Sequence, residues 1–233
     1  MKFFKNKMKV VILAGGYGTR FSEETIRKPK PMINIGPKPI IWHIMKNYSQ
    51  YGFNEFVIAL GYKANLLKQY FLKYKKKEKN IFLNFKTNLK KNDLINKNEG
   101  WKISLIDTGI NTQTGGRLKR LENMLKNEPF MLTYGDGVGN INFDALLKSH
   151  KKNKKIATVS AVRPPARFGD VKFEKNTIVR FREKSQIDSG WINGGFMVLD
   201  PKIFSMLRKD TDVLEIEVLE KLAKKKKLNG YKH

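Results

Sequence analysis

The chain has 233 residues, 40% hydrophobic and 29% charged, which suits one large folded domain and excludes a disordered chain. No apolar run approaches the roughly 20 residues that cross a bilayer, and the absence of cysteine excludes disulfides and thiolate metal sites. The net charge of +26 would suit a polyanion binder, but the lysines cluster at Lys75–Lys77, Lys151–Lys155 and Lys224–Lys227 and are seldom interleaved with aromatics. A solvated cationic surface with no specific nucleic-acid partner is therefore expected.

Met1–Lys7 is basic and no small-residue cleavage site follows it, so it reads as an N-terminal extension and the cytoplasm is the expected compartment. Lys9–Ala14 (KVVILA) is a β-branched apolar run ending at two glycines, the pattern of a buried parallel strand. A long loop runs to Pro31. Pro39 opens a helix over Ile40–Tyr51 that Gly52 closes. Strands are predicted at Phe56–Leu60, Ile81–Phe85, Lys102–Ile106 and Phe130–Tyr134, with helices at Lys63–Tyr74, Arg117–Lys126 and Phe143–Lys151. Beyond that the chain turns strand-rich: Ile156–Val162, Val171–Glu174, Ile178–Arg182 and Phe196–Leu199 follow one another at short spacing. The order implies an α/β sheet with a β-rich subregion, carried by a single domain over residues 8–233 after the extension 1–7. Asn84–Glu99, polar and rich in Asn and Lys, reads as an excursion from that domain.

The strongest chemical signal is Leu13-Ala14-Gly15-Gly16-Tyr17-Gly18-Thr19-Arg20, directly after the first strand. Glycines there let backbone N–H groups approach a phosphate chain, and Arg20 can grip phosphate oxygens bidentately. No Gly-Lys-Ser/Thr follows, so it is not a P-loop, and its spacing does not match the dinucleotide fingerprint. Ten residues past Arg20 comes Lys28-Pro29-Lys30-Pro31-Met32, where two prolines are expected to hold the chain extended and present Lys30 from a stiff backbone. Asp136, between two glycines at a strand end, faces the crevice where α/β proteins bind ligands; it fits a Mg²⁺ ligand or a simple turn residue. Thr114-Gly115-Gly116-Arg117 reads as a helix N-terminal turn, Thr114 capping or flanking a helix that starts at Arg117. Asn193-Gly194-Gly195 reads as a turn, and Glu183-Lys184 taken alone as an exposed ion pair. His43, His150 and His233 show no metal-ligand spacing, and no Ser/His/Asp pattern supports covalent catalysis.

The sequence L-A-G-G-x-G-T-R followed by K-P-K-P-M resembles the sugar-1-phosphate nucleotidyltransferase family, and within it the cytidylyltransferases acting on glucose 1-phosphate. The likeness runs from about Met8 to His233. Its most specific stretches are Phe21–Thr25, Thr114–Arg120, Thr133–Gly137 and Ile192–Phe196. The resemblance implies a mixed, mainly parallel Rossmann-like sheet flanked by helices, with the β-rich part binding sugar. It implies that Leu13, Ala14, Gly15, Gly16, Gly18 and Thr19 wrap the nucleotide, that Arg20 and Lys30 hold phosphates, and that Thr114 and Arg117 bind or select the nucleotide. Arg20, Lys30 and Asp136 would be catalytic, with Asp136 holding Mg²⁺. Gly169, Glu183, Lys184, Asn193 and Gly194 would bind the sugar phosphate.

The implied reaction is attack by glucose 1-phosphate on CTP, giving CDP-glucose and pyrophosphate for surface-polysaccharide deoxysugars, in a possible homo-oligomer with no membrane partner. In the family a second metal-ligating Asp lies beyond the equivalent of Leu228–His233. The expectation here is therefore a complete nucleotide pocket with a half-built metal site. The rival readings are the same chemistry with another nucleotide or sugar phosphate, and an inactive nucleotide-binding relative.

Overall fold

Short apolar runs alternating with amphipathic helices build a layered sheet in the computed structural model, which describes residues 8–17, 28–77, 82–86, 100–164, 170–175, 177–182 and 190–233. The elements in chain order are β1 (Lys9–Leu13), a 3-10 turn (Lys30–Met32), β2 (Asn34–Ile35), β3 (Lys38–Pro39), α1 (Ile40–Gln50), β4 (Glu55–Leu60), α2 (Ala64–Lys77), β5 (Phe82–Lys86) and β6 (Lys102–Asp107). There follow α3 (Thr114–Arg120), α4 (Glu122–Leu125), β7 (Phe130–Tyr134), α5 (Phe143–Asn153), β8 (Ala157–Val162), β9 (Asp170–Glu174), β10 (Thr177–Arg182) and β11 (Ile192–Leu199). A 3-10 helix (Pro201–Met206), a π-type helix (Glu215–Glu220) running into α6 (Lys221–Lys224), and β12 (Leu228–Lys232) complete the chain.

Eight strands form one sheet in the order β12-β8-β11-β7-β1-β4-β6-β5. β1 lies parallel to β4 and β7, and β4 to β6. β11 runs antiparallel between β7 and β8, and β12 pairs parallel with β8. The sheet is thus mixed and mainly parallel, and β9–β10 make a separate antiparallel hairpin.

Period-two alternation divides the core. Val10 and Ile12 face the layer of α1, α2 and α5, where Tyr48, Phe53, Trp101 and Phe143 are buried and Tyr48 stacks on Phe143 at 3.8 Å between ring centroids. Val11 and Leu13 face the other layer, where Leu118, Phe204, Leu214 and Val218 pack. Each fully buried side chain of this size contributes roughly 1.5–3 kcal/mol by removal from water. α5 is anchored at its start by the Asn142 side chain, which accepts from the Ala145 N–H at 2.9 Å, and stops at Lys154 with φ 49°. Among the described residues no helix is long and apolar enough to cross a membrane.

The structure corrects four expectations. The helix predicted over Arg117–Lys126 begins at Thr114 and breaks at Leu121 into two pieces. Its paired glycines sit inside the first turn because the backbone of Asp210–Asp212 abuts it. A Cβ on Gly116 would stand 2.3 Å from the Asp210 carbonyl oxygen, and one on Gly115 2.7 Å from that of Asp212. Thr114 therefore caps nothing in its own helix. Lys30 is not on extended chain: Pro29 is extended, but Lys30–Met32 forms one 3-10 turn. Asn193-Gly194-Gly195 is not a turn but lies within β11, where the register on β8 shifts between Asn193 and Met197 and Gly195 takes φ +81°. The helical stretch over 215–224 and strand β12 were not among the elements expected from the sequence.

Candidate active site

The parallel strands β1, β4, β6 and β7 end on one side of the sheet, and the segments following β1, β6 and β7, with Val213 and Glu215, enclose a cleft of about 470 Å³. Its floor is the turn after β1. Both sides of that turn are tied to neighbouring strands: Ala14 N–H donates to the Ala59 carbonyl at 3.0 Å, and Gly135 N–H donates to the Leu13 carbonyl at 2.9 Å. One wall brings Pro31 against Gly135, where a Cβ would stand 2.9 Å from the proline ring, so only glycine lets the Lys30 turn seat there.

On that wall Lys30 Nζ pairs with Asp136 Oδ2 at 3.3 Å, the lysine side chain 15% and the aspartate 46% exposed. An ion pair open to water on one side contributes about 0–1 kcal/mol. The half-exposed Asp136 carboxylate is open to a ligand on its solvent side.

The opposite wall is the start of α3. Thr114 Oγ1 donates to Glu215 Oε2 at 2.9 Å and accepts from Leu214 N–H at 2.9 Å. The Tyr134 hydroxyl donates to the other carboxylate oxygen, Glu215 Oε1. Burial, then the neighbouring Glu215 carboxylate, push the Tyr134 phenol far above its ordinary value, while a hydrogen bond from Asn193 acts the other way. Tyr134 is thus a neutral donor at any working pH. Below the glycine turn lies Arg117, 3% exposed, hydrogen-bonded to Gly15 O, Leu60 O, Gly109 O and Thr108 Oγ1. Desolvation lowers its pKa, but a guanidinium titrates so high that it keeps its charge.

Leu13, Ala14, Gly15, Gly16, Lys30, Thr114, Arg117 and Asp136, scattered over more than half the sequence, all line this one cleft. Gly18, Thr19, Arg20, Gly169, Glu183 and Lys184 lie outside the described residues. Asn193 and Gly194 do not line it. Asn193 reaches it through the Tyr134 hydroxyl, and its Oδ1 accepts from Gly195 N–H at 2.8 Å. Gly194 packs on β8, where a Cβ would stand 2.7 Å from Ser160 Oγ.

Sequence reasoning missed Tyr134 and Glu215. Tyr134 could have been found, since it ends an apolar strand two residues before Asp136; Glu215 had no local signal, because only the packing of a distant helix brings it here. His43, His150 and His233 bond to Ile35 O, Thr158 Oγ1 and Asn140 Oδ1 respectively. Among the described residues no group of three or more His, Cys, Asp or Glu side chains could hold a metal by itself.

A family model described as nucleotidyl transferase matches residues 9–231. The chain is 43% identical over 228 residues to the glucose-1-phosphate cytidylyltransferase of Salmonella typhi, covering 97% of this chain and 88% of that protein. It is 44% identical over 227 residues to the probable glucose-1-phosphate cytidylyltransferase of Bacillus subtilis (strain 168), with the same coverage of 97% and 88%. Among solved structures, HddC from Yersinia pseudotuberculosis superposes with a TM-score of 0.66 at 23% identity, covering 97% of this chain and 90% of that one, a likeness of fold alone.

Proposed function

We propose, since this chain belongs to the nucleotidyl transferase family, that it transfers a cytidylyl group from CTP to α-D-glucose 1-phosphate, releasing pyrophosphate. The observation that carries this reading is the convergence on one cleft of the glycine turn, Lys30 and Asp136, in a chain 43–44% identical to cytidylyltransferases along nearly its whole length.

A phosphate oxygen of glucose 1-phosphate attacks the α-phosphorus of CTP, a new P–O–P link forms, and the bond to the β-phosphate breaks as pyrophosphate leaves. The nucleophile is already anionic at neutral pH, so no general base is required. What the protein supplies is placement of two polyanions and relief of their repulsion. The glycine turn at 15–16 cradles phosphate oxygens through backbone N–H groups, and Arg20 and Lys30 offset their charge.

Asp136 is the residue to hold Mg²⁺. It is a hard oxygen donor, half exposed, beside the glycine turn, and Mg²⁺ is commonly bound through one or two carboxylates plus substrate phosphates, so a single carboxylate fits. The ion would supply charge neutralisation on the phosphate chain. Thr114, with Glu215 fixed behind it, contributes to nucleotide binding from the opposite wall. Asn193, joined to Tyr134, marks the direction of the sugar, with Gly169, Glu183, Lys184 and Gly194 assigned to its phosphate by the family pattern.

The test is an endpoint assay with glucose 1-phosphate, Mg²⁺ and each of CTP, UTP, dTTP and GTP in turn, resolving nucleotide sugars by ion exchange. CDP-glucose from CTP alone is the expected result. A product from another nucleotide instead would keep the chemistry and overturn the base choice, and CTP binding without product would leave a nucleotide-binding relative that does not turn over.

A further inference from the structure

Arg117 carries a full positive charge in the interior and, among the described residues, forms no ion pair, the Asp107 carboxylate acting on it only through space. Its Nη1 lies 3.0 Å from Leu60 O, 2.8 Å from Thr108 Oγ1 and 2.7 Å from Gly109 O, and its Nη2 lies 2.8 Å from Gly15 O and 3.4 Å from Ile110 O. These acceptors come from the ends of β1, β4 and β6, so one side chain ties the cleft-lining segments after β1 and β6 to each other and to the end of β4. Burying a guanidinium costs several kcal/mol unless its donors are matched, and here neutral oxygens match them. We propose that Arg117 is a positioning residue: it orients the Gly15–Gly16 peptide so that the Gly16 N–H faces the cleft as a phosphate donor, and does not itself touch the nucleotide. The inference rests on the nucleotide reading of the cleft.

The peptide unit is planar and trans, so its carbonyl and N–H point in opposite directions. The Gly15 carbonyl is held inward twice, by Arg117 Nη2 at 2.8 Å and by the Tyr62 N–H at 3.0 Å. The Gly16 N–H on the same peptide is thereby directed away from the guanidinium, on the side where Gly16 is exposed and lines the cleft. A charged donor on the carbonyl also polarises the peptide and strengthens that N–H as a donor.

The two glycines bear out the division of labour. A Cβ on Gly15 would stand 2.3 Å from Arg117 Nη1, and one on Gly61 would stand 2.4 Å from it. A Cβ on Gly16 would meet nothing within 4 Å. The first glycine of the turn, and Gly61 across from it, are therefore small because the guanidinium occupies their side-chain space. Only Gly16 leaves its surroundings open to a ligand.

The experiment is a double-mutant cycle on the full chain with Gly15→Ala, Arg117→Met and the pair, read without ligand by denaturant unfolding and then by calorimetric titration with CTP and, in competition, with cytidine. Gly15→Ala is expected to lower the folding equilibrium constant at least tenfold more in the native background than in Arg117→Met, because the clash disappears with the guanidinium. Arg117→Met is expected to weaken CTP at least tenfold while leaving cytidine within twofold, since the loss falls on phosphates. Additive mutations, or equal losses for CTP and cytidine, would overturn the proposal, the second by placing Arg117 on the base. Should Arg117→Met not fold, Gly15→Ala alone decides: native CTP affinity there overturns the proposal, and a tenfold loss with cytidine retained supports it. A native chain that binds no nucleotide would sink the functional reading, while the ligand-free cycle still reports whether the guanidinium holds the turn.

Discussion

Lys30 and Arg117 line the same cleft, yet Lys30 meets a half-exposed carboxylate at 3.3 Å, whereas Arg117 lies buried among five neutral acceptors. A cation whose donors are matched by backbone carbonyls cannot leave them for a ligand without stranding those carbonyls, at about 1–3 kcal/mol apiece where water cannot reach. A cation paired with a half-exposed carboxylate leaves behind a group that water can reach. On the proposed reading the cleft therefore separates a charge that shapes the site from one that works in it, although both are basic residues in a basic protein.

The largest effects should fall on the working side. Asp136→Ala is expected to abolish the Mg²⁺-dependent rate, read from initial velocities across a magnesium titration; a surviving magnesium response would move the metal elsewhere. Lys30→Ala should lower kcat by about 10²–10³ while leaving unfolding within about 1 kcal/mol of native, because on the proposed reading it removes a transition-state charge from an ion pair that itself contributes little to stability. Arg117→Met should reverse that order in a denaturant melt, losing about 2–4 kcal/mol of stability as carbonyls lose their donor. If Lys30→Ala proved the more destabilising of the two, the division between them would fail.

A smaller effect tests the far wall. Glu215→Gln removes the negative charge, keeps one acceptor oxygen for the Tyr134 or the Thr114 hydroxyl, and turns an amide donor toward the other. The Tyr134 phenol should then titrate lower than in the native chain, since the carboxylate's contribution is gone, yet still above an ordinary tyrosine, because burial is the larger cause. Tyrosine ring resonances followed by NMR through an alkaline titration, assigned with Tyr134→Phe, read this for Tyr134 apart from the other tyrosines. An unchanged titration would mean that Glu215 does not act on Tyr134 as a charge.

Much of this organisation was legible in the sequence because it is local. KVVIL, EFVIAL and FMLTY are uninterrupted apolar runs, and a strand buried on both faces needs nothing else to declare itself. The glycine turn and Asp136 were legible because each follows a strand end, whereas Lys30 lines the cleft from a 3-10 turn and not from the extended chain that its flanking prolines suggested. Asn193-Gly194-Gly195 misled because glycine density usually marks a turn. Here one glycine makes room for Ser160 and another takes a left-handed φ at a strand irregularity, and both demands come from β8 and Tyr134 across the sheet. Glu215 and the carbonyl network of Arg117 were invisible for the same reason. Their partners lie up to 102 residues away, and no spacing rule encodes a contact made by packing.

The smallest expected effect uses a buried titratable group away from the cleft. His150, 7% exposed at the end of α5, has Nδ1 2.9 Å from Thr158 Oγ1, and that oxygen also receives the Asn229 amide at 3.3 Å. With the amide donating to it, the threonine hydroxyl has its own proton to give to Nδ1, which favours the neutral ring. Burial lowers the His150 pKa, and Lys151 adds to that, while the Asp200 carboxylate opposes it. The folded value thus lies below the ordinary 6.5, so the unfolded chain binds a proton first as pH falls. The contribution to stability should be complete above about pH 6.5 and be lost progressively as pH drops through the lower folded value, with a slope that one proton limits to about 1.4 kcal/mol per pH unit. Unfolding midpoints measured from neutral to mildly acid pH should show this slope in the native chain and lack it in His150→Asn, whatever the offset in absolute stability. If both chains lost stability equally with acid, His150 would not be the group responsible, and burial alone would not suffice to hold its ring in the neutral form.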